Sequence, residues 1–192
     1  MSPPSFLAFA GSLRTESLNK KLIRVAARAA AGAGARVDTI DLRDFPLPIY
    51  DGDLEAADGL PANARRLKDL FIEHQGLLIA CPEYNSSITA VLKNTIDWVS
   101  RQDGTESGTK PYEGKVAALF SASPGNFAAL RSMEATRGIL IQLGVLVVPQ
   151  RLAVPRAHQA FADDGTLREA SLLAALEAEI ASVIDTVTRM NA

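Results

Sequence analysis

The sequence predicts an α/β fold: a doubly wound five-stranded parallel sheet, strand order 2-1-3-4-5, with helices on both faces. Two observations carry this expectation. Short, continuous apolar runs alternate with stretches of helical period from one end of the chain to the other, and in that alternation each strand is buried on both faces by the helices that follow it. The loops after the first and third apolar runs are also rich in polar residues, as expected of loops flanking the point where strand order reverses.

The elements follow in order. Phe6–Ala10 is a short apolar run and reads as the first strand. After a polar loop, Leu18, Leu22, Val25, Ala26 and Ala29 recur at helical spacing. Residues 36–42 (Arg-Val-Asp-Thr-Ile-Asp-Leu) alternate and read as a second, more exposed strand. The connection 43–59 holds Pro46, Pro48 and Gly52, and loops of that length are usually functional or seated against a partner. Pro61 suits a first helical turn, followed by Ala64, Leu67, Leu70 and Phe71 on one face. Gly76–Cys81 is the third strand, and Ile88, Val91, Leu92, Thr95, Ile96 and Val99 give the cleanest helical stripe. Lys115–Ser121 supplies the fourth strand, Asn126–Leu143 a helix ending before Gly144. Val145–Val148 is the fifth strand, with an extension through Leu152–Val154 after a break at Pro149. Thr166-Leu167-Arg168-Glu169 has the form of a capping box opening the last helix, which turns Leu173, Leu176, Ile180, Val183, Ile184 and Val187 inward.

Composition bounds the rest. The 192 residues, 47% hydrophobic and 22% charged, suit one domain over 1–192. A formal net charge of −2 without a basic cluster excludes nucleic acid as the main ligand. Residues 1–5 have no basic leader and run into a short strand, so neither a signal peptide nor a membrane span is expected and the cytoplasm is the expected compartment. The single cysteine and the two distant histidines form no zinc pattern. Cys81 reads as a small buried hydrophobe rather than a redox thiol. Asp51, Asp53, Glu55 and Asp58 read as a solvated loop rather than a cation site. Residues 121–125 (Ser-Ala-Ser-Pro-Gly) lack the first glycine of a nucleophile elbow, and no Asp lies between them and His158, so hydrolysis is not expected.

The loop after the first strand, Gly11-Ser12-Leu13-Arg14-Thr15-Glu16-Ser17-Leu18-Asn19, offers hydroxyls, a guanidinium and an amide at a helix start. Spare N–H groups and the helix dipole suit a phosphate there. A Walker A lysine loop and the GxGxxG of dinucleotide sites are both absent. A monophosphate held end-on fits best, and Ser17 reads equally well as a plain helix cap.

Four pieces together resemble the NADPH-dependent FMN reductase family, which includes bacterial quinone, chromate and azo-dye reductases. They are Gly11-Ser12-Leu13-Arg14-x-x-Ser17-x-Asn19, Pro82-Glu83-Tyr84-Asn85-x-Ser87, Leu92-Lys93-Asn94-x-Ile96-Asp97-Trp98 and Ser123-Pro124-Gly125. The resemblance implies a flavodoxin-like domain in which Ser12, Arg14, Ser17 and Asn19, with Leu13 and Leu18 in the same loop, hold the FMN phosphate and ribityl end. Pro82, Glu83, Tyr84 and Asn85 would then run along the isoalloxazine, largely through backbone groups, and Ser123 would meet the far side of the ring. It also implies NADPH or NADH as donor, ping-pong hydride transfer to a quinone or similar small-molecule acceptor, no metal, no catalytic side chain because the flavin carries the chemistry, and a homodimer or homotetramer. The rival expectation is an FMN electron carrier without its own nicotinamide site. Where the family usually has a second glycine pair before an Arg, this chain has Ala128-Ala129 before Leu130-Arg131.

Overall fold

A computed structural model describes residues 3–191. The central strand, β1 (Ser5–Ala10), lies parallel between β2 (Arg36–Thr39) and β3 (Gly76–Ala80). The order β2-β1-β3 continues through β6 (Val116–Ala122), with β4 (Glu83–Tyr84) and β5 (Ser87–Ile88) forming a small antiparallel hairpin off the sheet. The fifth position is split. β7 (Leu146–Val147) pairs with the start of β6 and β8 (Leu152–Val154) with its end, the break falling at 148–151 around Pro149. Proline has no N–H to give a ladder, so a break is the expected consequence. The expected order 2-1-3-4-5 therefore holds, with the last strand in two pieces.

Alternation along the buried strands divides the core. Phe6, Ala8, Ala10, Leu78, Ala118 and Phe120 face α1 (Leu18–Gly32) and α6 (Ala170–Met190). Leu7, Phe9, Leu77, Ile79 and Leu119 face the other layer, built by α3 (Ala62–Glu73), α4 (Ala90–Val99) and α5 (Leu130–Gln142).

Several boundaries differ from the periodicity reading, each for a local reason. β2 stops at Thr39 because the Asp41 carboxylate accepts from the Arg43 N–H and caps a 3-10 turn, Leu42–Asp44. The acidic part of the 43–59 connection folds into a short helix, α2 (Gly52–Asp58), capped by Asp51. α5 begins at Leu130, not Asn126, because Ala128 and Ala129 take left-handed φ angles of 52° and 63°. The capping-box expectation fails: α6 begins at Ala170, and Thr166 instead turns its N–H and hydroxyl onto the Asp164 carboxylate. Leu167 bridges to Phe161 as part of the same turn.

Among the buried ionisable side chains of the described residues, Glu179 is the one left without partners. Glu179 on α6 is 1% exposed, and neither carboxylate oxygen has a hydrogen-bond partner among the described residues. Burial pushes its pKa up to about 8, an effect only partly offset by the Arg137 charge and by the backbone N–H groups of Leu152 and Leu119, which lie near the carboxylate without hydrogen-bonding geometry. A carboxyl raised in the folded state binds its proton more tightly there, so its stabilising contribution is full below the unfolded value of 4.5 and is lost as pH rises toward 8. Glu179→Gln removes this titration. In urea melts the variant is expected to gain on the parent between pH 5 and pH 8, by more than about 1 kcal/mol at the upper end; parallel stability profiles would count against an uncompensated buried carboxyl.

Candidate functional site

The site lies at the carboxyl ends of β1, β3 and β6, where strand order reverses. Gly11 leaves β1 with its N–H bonded to the Ala80 carbonyl at 2.9 Å. Its missing side chain is required, since a Cβ there would stand 2.8 Å from the Leu92 Cβ of α4. The same close approach lets the Thr89 hydroxyl, which also caps α4, donate to the Gly11 carbonyl at 2.7 Å. The loop is therefore held from both sides before any phosphate-type residue is reached.

Ser17 caps α1, accepting weakly from the Lys20 N–H at 3.4 Å. The first i,i−4 bond runs from Lys21 to the Ser17 carbonyl, so the N–H groups of Leu18 and Asn19 precede the helical ladder and point beyond its end. Ser12 accepts from the Arg14 N–H at 3.2 Å. Both hydroxyls are buried, each accepts one backbone hydrogen bond, and each retains its own proton for an anion. The Arg14 guanidinium is exposed, with no ion pair or hydrogen bond among the described residues. Together these groups line a cavity of about 360 Å³ with Pro82, Tyr84 and Ser123.

Of the other expected residues, Leu18 and Asn19 line the same cavity, whereas Leu13 and Asn85 do not. The Asn19 side chain is spent on the protein: its Nδ2 donates to the Ala122 carbonyl at 2.8 Å and its Oδ1 accepts from the Ala122 N–H at 3.0 Å. Leu13 is half exposed and turns to a neighbouring apolar cavity with Leu47, Ile49 and Val91. Leu18 stays on the rim of the cradle. Asn85 sits with Ser86 at the tip of the β4–β5 hairpin, both at positive φ, and does not line the cavity.

Glu83 lines the cavity, but its carboxylate works behind it. It accepts from the N–H groups of Arg131 at 3.0 Å and Ser132 at 3.2 Å, closing the start of α5, which has no cap of its own. Ser132 returns a hydrogen bond to the Pro82 carbonyl at 2.6 Å. Asn94 and Trp98, the conspicuous polar and aromatic residues of the α4 motif, both donate to the Pro48 carbonyl at 2.8 Å and so fasten the 43–59 connection to α4. Tyr50 completes this joint against the Trp98 ring, 5.1 Å between centroids. Cys81 is fully buried, which pushes its thiol up to about 12 and so disfavours the reactive thiolate.

His158 was not singled out by sequence beyond its failure to fit a triad, yet it lines the cradle together with Ala122 and Pro124. The one signal available was its position shortly after the fifth strand, whose carboxyl end also faces the site.

Asn19 connects the phosphate-type loop to the far strand, so its loss has a defined cost. Asn19→Ala leaves the Ala122 N–H and C=O unpaired in a buried setting and is expected to destabilise the domain by about 2–3 kcal/mol in urea denaturation. A change below about 0.5 kcal/mol would mean that water replaces the clamp.

The sequence and the fold match known proteins over most of the chain. The family model for NADPH-dependent FMN reductase matches residues 4–159. An NAD(P)H-dependent FMN reductase of Pseudomonas aeruginosa is 35% identical over 164 residues, covering 84% of this chain and 83% of that protein. A quinone reductase of Escherichia coli K12 is 33% identical, covering 72% and 70%. The solved structure of FerB, a flavoenzyme NAD(P)H:(acceptor) oxidoreductase from Paracoccus denitrificans, superposes with a TM-score of 0.82 at 29% identity over 97% of this chain and 98% of its own. With a doubly wound sheet, a hydroxyl-lined helix start at the switch point and a family match over most of its length, the chain is a member of the NADPH-dependent FMN reductase family.

Proposed function

We propose that the chain is an NAD(P)H-dependent FMN oxidoreductase that passes two electrons to quinones or similar small acceptors. The observation that carries this reading is the donor set at the start of α1: two unladdered N–H groups, two buried hydroxyls with protons to give, and one unpaired guanidinium. Such a set suits a dianionic monophosphate without a metal. When bound, FMN supplies the hydride chemistry. The protein's part is placement. Ser12, Ser17 and the helix start hold the phosphate; Pro82–Tyr84 and Ser123 border the space for the ring; Glu83 fixes that border by holding it to α5. No side chain of the cradle is required as an acid or base.

The family relatives accept flavins or quinones by name, which supports a small aromatic acceptor here. Among the described residues no helix is long and apolar enough to cross a membrane. Half-exposed Leu13 and strongly exposed Ile49, beside the cradle, border an apolar cavity of about 420 Å³. This face is proposed as a contact between copies in a homodimer or homotetramer, and light scattering that finds only monomer would remove that part of the reading.

Two measurements bear on the function directly. Arg14→Ala combined with Ser17→Ala is expected to weaken FMN binding by about 2–4 kcal/mol, since charge-assisted and hydroxyl contacts are lost together; unchanged affinity by flavin fluorescence would refute the phosphate assignment. On anaerobic mixing with NADPH or NADH the bound flavin is expected to bleach within seconds, and flavin that stays oxidised with both donors would leave only an electron carrier.

A further inference from the structure

The outer side of α1 carries a basic stripe that the flavin cradle does not use. Lys21, Arg24 and Arg28 are spaced three and then four residues apart, so they share one side of the helix. They form one wall of a second cavity of about 470 Å³. Its inner surface includes buried Ala157 and half-buried Phe161, and its other side, the segment 157–165, brings Asp163 and Asp164. Leu18 and His158 line both this cavity and the cradle, so the two spaces meet at the start of α1.

The basic groups are largely uncommitted. Lys21 has only a long contact to Glu16 at 3.8 Å. Arg24 and Arg28 each donate to a backbone carbonyl, of Lys20 and of Gly165, and both guanidiniums keep N–H donors to spare. On the other side, Asp164 uses one carboxylate oxygen for Thr166 and keeps the second, while Asp163 is fully exposed and 3.5 Å from Arg168.

This combination is selective about what can fit. A bare phosphate would gain from the basic wall but meet two carboxylates. A simple cation would face the reverse. The cavity suits a ligand with an anionic group on one side, neutral hydroxyl donors on the other and a flat apolar body against Phe161. Adenosine 5′-phosphate has these three parts. Its phosphate meets Lys21 and Arg24, its ribose diol donates to the Asp163–Asp164 pair as ribose hydroxyls do to an acidic residue in dinucleotide sites, and its base covers the apolar surface. A ribose 2′-phosphate would instead be set against those carboxylates.

We propose that this cavity is a subsite for the adenosine 5′-phosphate half of a dinucleotide whose other half is either the flavin in the cradle itself, as in FAD, or a nicotinamide laid against the bound FMN. The proposal rests on the flavin-reductase reading above. That half can come from an NADH-type donor or from FAD in place of FMN, because both place an adenylate beyond a phosphate.

The probes are 5′-AMP and 2′,5′-ADP, titrated calorimetrically into FMN-loaded protein whose visible spectrum confirms the flavin. The expected result is saturable AMP binding, with a Kd on the order of 1 mM or tighter, and weaker binding of 2′,5′-ADP. Lys21→Ala combined with Arg24→Ala is expected to weaken AMP at least about fivefold while FMN content is unchanged. Asp163→Asn combined with Asp164→Asn should narrow the gap between the two probes. AMP inhibition competitive with NADH assigns the subsite to the donor; FAD binding to flavin-free protein that is weakened by the Lys21/Arg24 substitutions while FMN binding is not assigns it to FAD. No saturable AMP binding to the flavin-loaded protein, equal AMP binding by the Lys21/Arg24 variant, or tighter binding of 2′,5′-ADP than of AMP overturns the proposal. Protein that never takes up FMN would defeat the flavin reading instead, and the spectrum separates the two failures.

Discussion

Two hydrogen bonds between the Asn19 amide and the backbone of Ala122 join the first turn of α1 to the end of β6, across the width of the cradle. Both bonds are buried, where an unmatched amide or carbonyl costs far more than a matched pair returns. The placement of the site depends on this clamp. α1 delivers the spare N–H groups of Leu18 and Asn19, and β6 delivers Ser123; apolar packing lays one element on the other, and this directional bond pins the first turn of α1 to the end of β6. A residue that looks like a ligand in sequence thus acts mainly as the brace that sets where the ligand groups stand.

The other wall is braced in a different way. The loop after β3 turns back as a hairpin, and the Glu83 carboxylate replaces the missing cap of α5 while the Ser132 hydroxyl answers to Pro82. A carboxylate at a helix N-terminus is favoured by both the unpaired N–H groups and the dipole. That helix starts late because Ala128 and Ala129 occupy left-handed backbone, which costs an L-residue on the order of 1–2 kcal/mol each. The two alanines are buried, and the Ala128 carbonyl accepts from the Ser121 hydroxyl. Surrounding contacts hold the turn in place of the conformational freedom that glycine would have supplied.

The long connection after β2 shows how a motif can be structural without being idle. Pro48 offers one carbonyl to both Asn94 and Trp98, and Tyr50 seals the joint from outside. α4 is in turn pressed against Gly11 closely enough that a methyl would not fit. The cradle loop, α4 and the connection form one packed unit, so that the exposed Leu13 and Ile49 lie side by side on its surface.

The amino-acid sequence by itself determined the architecture, and with it the switch point where the candidate site lies, because burial on both faces writes continuous apolar runs and helical stripes that any reader of periodicity recovers. It also marked the helix start that suits a phosphate, since hydroxyls and an arginine without glycine repeats are a local signature. Tertiary structure alone decided what each polar residue does. Asn19 pairs with a residue 103 positions away and Glu83 with one 48 positions away, and no local pattern encodes such partners. The same holds for the late starts of α5 and α6 and for the basic cavity beside the cradle. Those features arise from side chains brought together by sheet order, and the order is fixed by the whole core rather than by any segment of it.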